Sequence, residues 1–313
     1  MSTATFRNPL LPDGPDPWMV FHEGFYYLTY TAMDRIEIRR AASLAEIGNA
    51  QPVVVWQENE PSRDQEMWAP EFYLLDGPNG RRWYLYFTAS DGVDINHRMH
   101  VLESEGHNPL GPYSYKAKLQ TDAKGELYAI DAGLIQRGNS ELFCVWAGHP
   151  DHRLFISRME NPWTLAGERQ LLEADGFGCD EVREGPVALR RNGKIFLVYS
   201  ICDTGKPDYK VGMLVADENA DLMNPHSWTQ HPEPIFSRND EAGVYGPGHN
   251  GFFHSPDGSE TWIVYHAKAE SRYTYEGRSP RAQKIAWDEN GLPRLGRPLS
   301  LDTDILVPSG DPA

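Results

Sequence analysis

The sequence predicts an all-β protein folded as a five-bladed β-propeller, and two observations support this prediction. A hairpin pattern recurs five times: an apolar run, a short polar turn containing Gly or Asn, and an aromatic-rich run that ends in a small residue. The residues that begin the second strand of each hairpin are 57, 59, 53 and 67 positions apart, at Tyr26, Trp83, Leu142, Ile195 and Trp262. This spacing fits a four-stranded propeller blade with long loops and is too long for most helical repeats.

The five hairpins follow one another along the chain. In order they are DPWMVFHEGFYYLTYTA (16–32), APEFYLLDGPNGRRWYLYFTA (69–89), DAGLIQRGNSELFCVWAG (131–148), EGPVALRRNGKIFLVYS (184–200) and GHNGFFHSPDGSETWIVYHA (248–267). The connecting segments are also strand-like, as in HRMHVLES and KVGMLVAD, and no long amphipathic helix interrupts them. We therefore predict a single propeller domain over residues 1–313. A β-sandwich, or two separate β domains, is the alternative.

Composition narrows the class of protein and of partner. A formal net charge of −16 argues against nucleic acid or an anionic membrane as a partner. The three cysteines are odd in number and lack CxxC spacing, so we expect neither a disulfide framework nor a structural zinc. The N-terminus has no apolar signal segment, and no stretch is long enough to span a bilayer. We expect a cytoplasmic protein, or a secreted one if a leader was removed; the oligomeric state stays open.

The unusual polar residues fall at the starts of the first strands. In a propeller those strands line the central axis, so their starts converge whatever their distance in sequence. The starts carry Asp16, the segment 68–71, Asp131, Glu184 and His249. Taken singly, each carboxylate is better explained as a turn or capping residue, because Asp-Pro, for example, favours turns. Their shared place in the repeat instead favours one axial basin.

Several carboxyl groups in a basin with aromatic walls are the groups that glycoside hydrolysis requires. One acid protonates the leaving oxygen and one base activates water. Burial and like charge separate the pKa values of such groups, so we expect the pKa of Glu184 to be raised, keeping it protonated near neutral pH. Trp18, Trp68 and Trp146 are the candidates for faces that contact a sugar ring.

The same residues lie in stretches that resemble a known family. The stretches are NPLLPDGPDPWM, MWAPEFY, YAIDAGLI, REGPVAL, VYGPGHNGFF, WIVYHA and SPRAQKIAWDENGLP, and they span Asn8 to about Pro298. In this order they resemble glycoside hydrolase family 43, the five-bladed propeller arabinofuranosidases and xylosidases. The resemblance implies a general base at Asp16, a general acid at Glu184, and an aspartate at Asp131 that orients the acid and modulates its pKa. It also implies inversion of anomeric configuration, with the carboxyl groups of Asp16 and Glu184 about 6.5–9.5 Å apart.

The resemblance extends to residues around the three acids. It implies that His249 lies near one central calcium ion held largely through water, that Arg281 reaches the active site, and that Trp68 forms a wall of the sugar pocket. The motifs resemble most the exo-acting α-L-arabinofuranosidase branch, with an oligosaccharide or polysaccharide as substrate. This chain has IDAGL and EGPV where that branch often has IDG and EGPE, and its loop after Cys202 is short. These departures bear on linkage and substrate preference.

Three other signals carry less weight. GPGHNG (246–251) satisfies the GxGxxG pattern, but a strand and not a helix follows, so dinucleotide binding is not indicated. His97 and His100 lie on a predicted strand where they face opposite sides, and we interpret them as surface or loop histidines. HPDHR (149–153) is either part of the pocket rim, after Trp146, or a loop that connects two blades, and we favour the loop.

Three alternatives to the arabinofuranosidase hypothesis remain at this stage. A β-D-xylosidase or a bifunctional enzyme would use the same acids on a sugar with a similar hydroxyl pattern. A retaining enzyme of the fructan-processing kind would use a nucleophile in place of the base. A non-catalytic sugar-binding propeller would bind without turnover. The sequence does not decide between exo and endo cleavage or identify the natural polymer.

Overall fold

The computed structural model describes residues 4–138 and 141–312, which form four four-stranded sheets, one three-stranded sheet and two short strand pairs. The first strands of consecutive sheets contact one another, and the last contacts the first, so the five sheets close into a ring of blades around an axis. The predicted five-bladed β-propeller is therefore confirmed. The turn residues 139 and 140 of the third predicted hairpin lie outside the described residues.

The blades follow chain order. Blades 1 to 4 consist of β2–β5, β6–β9, β10–β13 and β14–β17, blade 5 consists of β18–β20, and the pairs β1–β23 and β21–β22 lie outside the blades. The strands are β1 (Thr5–Phe6), β2 (Trp18–His22), β3 (Phe25–Thr29), β4 (Ile36–Ala41), β5 (Val53–Trp56), β6 (Gln65–Gly77), β7 (Gly80–Ser90), β8 (Arg98–Ser104), β9 (Tyr113–Lys118), β10 (Ala129–Arg137), β11 (Glu141–Gly148), β12 (Arg153–Asn161), β13 (Thr164–Leu171), β14 (Arg183–Arg191), β15 (Lys194–Ile201), β16 (Lys210–Asp217), β17 (Thr229–Gln230), β18 (Tyr245–His254), β19 (Thr261–Lys268), β20 (Ser279–Lys284), β21 (Ala286–Trp287), β22 (Pro293–Arg294) and β23 (Ile305–Leu306). Single 3-10 turns occur at Leu44–Glu46, Asp94–Asn96, Pro225–Ser227 and Asp240–Ala242. Within the described ranges, none of these turns has the length or apolar character needed to cross a bilayer.

The hydrophobic core is divided among the interfaces between blades. Side chains alternate along each second strand, so one set packs against the preceding blade and the other against the following blade. On β11, for example, Phe143 and Val145 pack toward blade 4, whereas Cys144 and Trp146 pack toward blade 2. Each blade thus depends on both neighbours, and the aromatic residues of the repeat serve mainly as this packing.

The N-terminal segment covers the open edge of blade 5. Asn8 substitutes for a strand residue, since its side-chain amide donates to the Ala282 carbonyl (3.1 Å) and its side-chain oxygen accepts from the Ala282 N–H (2.9 Å). Leu10 N–H donates to the Pro280 carbonyl (2.8 Å). The two ends of the repeat are thereby joined, and the edge of the three-stranded blade is not left unpaired.

Each inner strand turns sharply at its axial end. One residue per blade there has a left-handed backbone: Asp16 (φ 56°), Ala69 (φ 43°), Asp131 (φ 59°), Gly185 (φ 53°) and His249 (φ 44°). In blades 2 to 5 the strand register also shifts at this point. Such bulges re-aim side chains, and here they direct residues toward the axis. Glu184 precedes the left-handed residue of its blade, so it occupies the place of Trp68 and Ile130, one residue earlier than the repeat suggested.

The backbone N–H of four of these left-handed residues is bound by the preceding blade. The acceptor is a polar side chain near the end of that blade's second strand: Thr31 for Ala69 (2.8 Å), Thr88 for Asp131 (3.2 Å), Ser200 for His249 (2.7 Å) and His266 for Asp16 (3.1 Å). Blade 3 has Ala147 at this position, and Ala147 pairs with Ile130 as Thr88 pairs with Trp68. Ala147 has no acceptor atom, so the N–H of Gly185 donates instead to Asp131 Oδ2 (3.0 Å). We refer to these five contacts as the axial ring.

One expectation about the cysteines is wrong. Cys179 and Cys202 form a disulfide, and Cys144 is free and buried in the interface of blades 2 and 3. The two partners lie in loops on either side of the first two strands of blade 4, and the odd count of cysteines gave no indication of their proximity. The disulfide joins the loop before Glu184 to the loop that carries Asp203 and Thr204.

The axial ring predicts a difference between two buried threonines. Thr88→Val should lower the free energy of unfolding by about 1–3 kcal/mol, because the buried N–H of Asp131 loses its acceptor. Thr121→Val is the matched control, since the buried hydroxyl of Thr121 has no hydrogen-bond partner in the part of the chain that the structure describes, and its removal should cost little. Urea unfolding of the two variants measures both values. Equal effects would show that the ring contact does not stabilise the fold.

Candidate active site

The axial end of the propeller contains a cavity of about 560 Å³. Its volume lies in the range of small-ligand sites. Residues from all five blades and their loops line it: Asp16, Thr31, Met33, Trp68, Ala69, Asp94, Tyr128, Ile130, Asp131, His152, Val182, Glu184, Asp203, Thr204, His249, Tyr275 and Arg278. The three carboxylates and the histidine expected at the axis are therefore brought together, as the repeat predicts.

Asp16 is a buried carboxylate surrounded by donors. Thr31 Oγ1 donates to its Oδ2 (2.7 Å), while His249 Nδ1 and Arg278 Nη1 lie 3.3 and 3.4 Å from its Oδ1. Burial alone would raise the pKa of Asp16, but the positive charges of His249 and Arg278 outweigh burial and hold its pKa well below the usual range. Asp16 is therefore ionised and can accept a proton.

His266 contributes to the site through its backbone contact with Asp16. Burial lowers the pKa of His266 to about 4, so the ring is neutral near neutral pH. Because its Nδ1 accepts the N–H of Asp16, its proton lies on Nε2, which is 3.0 Å from Thr204 Oγ1. His266 thus connects the turn of blade 1 to the loop that follows Cys202.

Asp131 and Glu184 occupy neighbouring blades. Burial raises the pKa of Asp131 to about 6, and the negative charge of Glu184 adds to this effect. Asp131 is fixed by the Gly185 N–H of the axial ring, so it is attached to the backbone next to Glu184. Tyr209 Oη donates to Glu184 Oε1 (2.7 Å), and His152 Nε2 lies 3.6 Å from Glu184 Oε2. The carboxyl group of Asp131 thus resists ionisation more strongly than that of Glu184.

The expectation of a raised pKa for Glu184 is wrong in this structure. Burial acts in that direction, as expected, but His152 and the positive charge of His249 lower the pKa of Glu184, and the Tyr209 hydroxyl adds to this. The pKa of His152 is raised in turn, because its attraction to Glu184 outweighs its own burial. None of these partners is close to Glu184 in sequence, so the motif alone could not reveal them.

His249 is the common counter-charge of the basin. Its own burial lowers its pKa, but the charges of Asp16, Asp131 and Glu184 together raise it above the ordinary value. Its Nε2 is buried and has no hydrogen-bond partner among the described residues. This nitrogen could bind a cation only when the ring is neutral, because a charged imidazole carries a proton on it.

The residues around His249 do not form a cage for a calcium ion. Ca²⁺ prefers six to eight oxygen ligands. In the described ranges there is no group of three or more His, Cys, Asp or Glu side chains placed to hold a metal. His249 offers a single nitrogen, so an ion at this place would have to take most of its ligands from water.

Glu71 is a further buried acid that the sequence placed only within the segment 68–71. It does not line the cavity, and Tyr73 donates a short hydrogen bond to its Oε2. Burial raises the pKa of Glu71 to about 8, which the Tyr73 hydrogen bond and the charge of His249 do not fully offset. Glu71 is therefore a neutral carboxylic acid at neutral pH.

Of the predicted sugar-contacting residues, the structure brings Trp68 to the cavity, where it stacks on His97 with ring centroids 3.7 Å apart. Trp18, Trp146 and Arg281 do not line the cavity. Trp18 donates its indole N–H to the Phe72 carbonyl (3.0 Å) in the interface of blades 1 and 2. Trp146 is fully buried between blades 2 and 3. Their expected placement in the pocket wall is wrong because strand alternation directs them between blades.

The arginine at the site is Arg278, three residues before the predicted one. Arg281 lies on β20, the third strand of blade 5, where it is fully buried and its Nη2 donates to the Ala267 carbonyl (3.4 Å). Arg278 precedes that strand, so its side chain reaches Asp16 and Thr204. The stretch SPRAQK lies on β20 of blade 5, and the loop before this strand supplies the arginine that lines the cavity.

Three histidines also differ from expectation. His97 and His100 are buried, not on the surface or in a loop, and burial lowers the pKa of both, so they are neutral. HPDHR does not connect two blades, as we favoured: it joins β11 to β12 within blade 3, and its His152 lines the cavity and approaches Glu184. A signal for His152 was available in the sequence, since this loop follows the second strand of blade 3 at its axial end.

Comparisons with known proteins agree with this architecture. A sequence profile described as "Glycosyl hydrolases family 43" matches residues 6–293. An "Extracellular exo-alpha-(1->5)-L-arabinofuranosidase" of Streptomyces avermitilis is 34% identical over 95% of this chain, which spans 64% of that relative's length. A Streptomyces chartreusis protein of the same name is 37% identical, with 85% of this chain and 83% of the relative covered. A crystal structure of α-L-arabinofuranosidase from Lactobacillus brevis superposes with a TM-score of 0.87 at 31% identity, covering 95% of this chain and 98% of that one.

The neutral acid Glu71 predicts a specific pH dependence of stability. Its pKa is raised from 4.5 to about 8 on folding, so the unfolded chain loses this proton first and the free energy of unfolding falls as pH rises from about 4.5 to 8. Glu71→Gln should remove that decline, a difference on the order of a few kcal/mol across the range. Urea unfolding at pH 5, 6.5 and 8 measures it. Glu168→Gln, at an exposed glutamate, should keep the wild-type slope; identical slopes in all three proteins would contradict the assignment.

Proposed function

This chain belongs to glycosyl hydrolase family 43, and from that membership we propose that it is an inverting, exo-acting α-L-arabinofuranosidase. We propose that it releases terminal α-(1→5)-linked L-arabinofuranosyl residues from arabinan or arabino-oligosaccharides. The observation that carries the proposal is the convergence of Asp16, Asp131 and Glu184 on one cavity. The pKa values of Asp16 and Glu184 are lowered there, whereas the pKa of Asp131 is raised. The printed names of the two Streptomyces relatives support the substrate class.

Asp16 acts as the general base in this proposal. It is ionised because His249 and Arg278 stabilise its negative charge, and Thr31 fixes one of its oxygens by a hydrogen bond. A water molecule held against Asp16 transfers a proton to it while its oxygen attacks the anomeric carbon. Inversion then follows, since attack occurs on the face opposite the leaving oxygen.

Glu184 donates the proton to the leaving oxygen, and Asp131 regulates it. The two acids interact, so their proton is best assigned to the pair, and the raised pKa of Asp131 keeps that proton in the basin up to about pH 6. A neutral sugar that excludes water from the cavity strengthens the effect of burial on both acids, so protonation of Glu184 is more favourable with the sugar bound than in the open cavity. We therefore expect turnover to fall as pH rises above about 6, where the pair loses its proton.

The sugar-binding groups follow from the cavity lining. Trp68 offers an apolar face, and Arg278 and Thr204 offer donors close to Asp16. The acidic residues of the cavity lining do not repel an arabinofuranosyl unit, because this sugar is neutral. We propose that the cavity holds one terminal sugar, with the remainder of the substrate extending into solvent.

The proposed roles predict large losses of turnover. Asp16→Asn and Glu184→Gln should each lower kcat on α-(1→5)-arabinotriose by roughly 10²–10⁴-fold, because each removes one proton transfer. Glu181→Gln, an exposed acid three residues before Glu184, is the control and should retain activity. Near-normal kcat in Glu184→Gln would refute the assignment of the acid.

The stereochemical outcome and the sugar preference are tested on the wild-type enzyme. NMR of the first-formed product should show inverted anomeric configuration, and a retained anomer would favour a nucleophilic mechanism. Turnover of a nitrophenyl β-D-xyloside in preference to the α-L-arabinofuranoside would favour a xylosidase. Release of arabinose alone from linear arabinan would support exo cleavage, whereas a ladder of oligosaccharides would contradict it.

The calcium ion predicted at His249 remains a proposal of its own. Because few protein atoms there can serve as ligands, we expect weak binding, with Kd on the order of 10⁻⁴–10⁻³ M. Calorimetric titration of EDTA-treated protein with Ca²⁺ should give one site per chain, and His249→Gln should weaken it. The absence of any binding heat at millimolar Ca²⁺ would contradict the proposal.

The cytoplasmic location predicted from the sequence has no support from the relatives. Two of them are named extracellular, and a disulfide such as Cys179–Cys202 persists best in an oxidising compartment. We propose that the protein works outside the cytoplasm, and fractionation of the native host decides this.

A further inference from the structure

Exposed apolar side chains are concentrated around the opening of the cavity. Of ten exposed large apolar side chains in the described ranges, six form this group, which we call the cavity rim: Met33, Val93, Ile95, Leu127, Tyr273 and Tyr275. Met33 and Tyr275 line the cavity, and the others lie beside lining residues in sequence or, for Tyr273, by a hydrogen bond to Tyr275. Clustered exposed apolar surface of this kind marks a place of contact with a ligand.

The two tyrosines of the rim are held in place before any ligand binds. Their hydroxyls lie 2.7 Å apart, and Tyr275 Oη donates to Asp203 Oδ2 (2.9 Å). Even so, 56% of Tyr273 and 51% of Tyr275 remain exposed, in contrast with the many tyrosines buried between blades. Aromatic surface that is left open and yet oriented by hydrogen bonds has little rotamer freedom to lose on binding.

The loop that carries the tyrosines, residues 269–278, is fixed by its backbone. The buried ammonium of Lys268 donates to the carbonyls of Arg272 (3.2 Å) and Thr274 (3.1 Å), and Thr274 N–H donates to the Gly205 carbonyl (3.0 Å). Arg278 Nε donates to the Tyr275 carbonyl (2.9 Å) at the other end of the loop. None of these contacts uses a tyrosine side chain, so the rings can be removed while the loop stays anchored.

We propose that Tyr273, Tyr275 and Asp203 form the binding site for the sugar unit on the leaving-group side of the cleaved bond. The inference rests on the proposed function. The carboxylates close the inner end of the cavity, so the rest of an oligosaccharide has to pass the rim, and the tyrosines are its only aromatic members in the described ranges. Aromatic faces suit the apolar side of a sugar ring, and the Asp203 carboxylate accepts hydrogen bonds from hydroxyl groups.

The test compares two substrates that differ only beyond the cleaved bond. α-(1→5)-Arabinotriose places a sugar against the rim, whereas methyl α-L-arabinofuranoside places only a methyl group there. Tyr275→Ala should lower kcat/KM on the triose by about three- to tenfold, mainly through KM, and leave kcat/KM on the methyl glycoside unchanged. Tyr273→Ala should act in the same direction, and Tyr275→Phe, which keeps the ring, should lose less.

Val54→Ala is the matched control, because Val54 has the same exposed fraction as Tyr275, 51%, but lies on β5, outside the rim. It should change kcat/KM on neither substrate. A selective loss in Val54→Ala with none in Tyr275→Ala would overturn the inference, as would equal losses on both substrates in Tyr275→Ala, which would show that Tyr275 acts only by positioning Arg278. If the wild-type enzyme cleaves both substrates and Tyr275→Ala leaves the ratio of the two kcat/KM values unaltered, the inference about the tyrosines is refuted and the proposed function stands. If the wild-type enzyme cleaves neither, the proposed function fails as well.

Discussion

The structure depends on the way in which each inner strand ends at the axis. A left-handed residue there directs side chains toward the axis, but it also leaves a backbone N–H buried at a point where two blades meet. An unpaired N–H in that position would cost free energy. The axial ring removes the cost by giving each N–H an acceptor on the neighbouring blade, such as Thr88 for Asp131 or Ser200 for His249. The same backbone turns and hydrogen bonds therefore place the acids at the axis and also close the ring of blades.

The ring also explains why blades that share a repeat produce an asymmetric site. In four contacts of the axial ring the acceptor is a side chain near the end of a second strand. In the contact between blades 3 and 4 the acceptor is Asp131 itself, because Ala147 has no acceptor atom. Blade 4 places its left-handed turn at a glycine, so its acid, Glu184, stands one residue earlier than the other axial groups. These two local departures bring Asp131 beside the backbone of Glu184 and leave Asp16 on another blade. A single fold unit thus supplies different surroundings for each carboxyl group.

Those surroundings decide the charge of each acid. Asp16 and Glu71 are both buried, yet the pKa of one is held far down by His249 and Arg278, while the pKa of the other is raised to about 8 because burial dominates. Glu184 differs from expectation for the same reason, since His152 and His249 offset its burial. The sign of a shift follows from which cations the fold brings near, and burial alone does not fix it.

The sequence by itself determined the fold class, the blade repeat and the convergence of Asp16, Asp131, Glu184 and His249. These follow from local strand pattern and from the topology that any propeller imposes, whereas the wall position of Trp68 came from the resemblance to a known family. Tertiary structure decided the rest: Trp18 and Trp146 between blades, Arg278 at the site in place of Arg281, His152 beside Glu184, and the pairing of Cys179 with Cys202. Each of these depends on the direction of one side chain or on the meeting of two loops distant in sequence. A repeat pattern locates the start of a strand, but only the packed blades determine which neighbouring charges surround it.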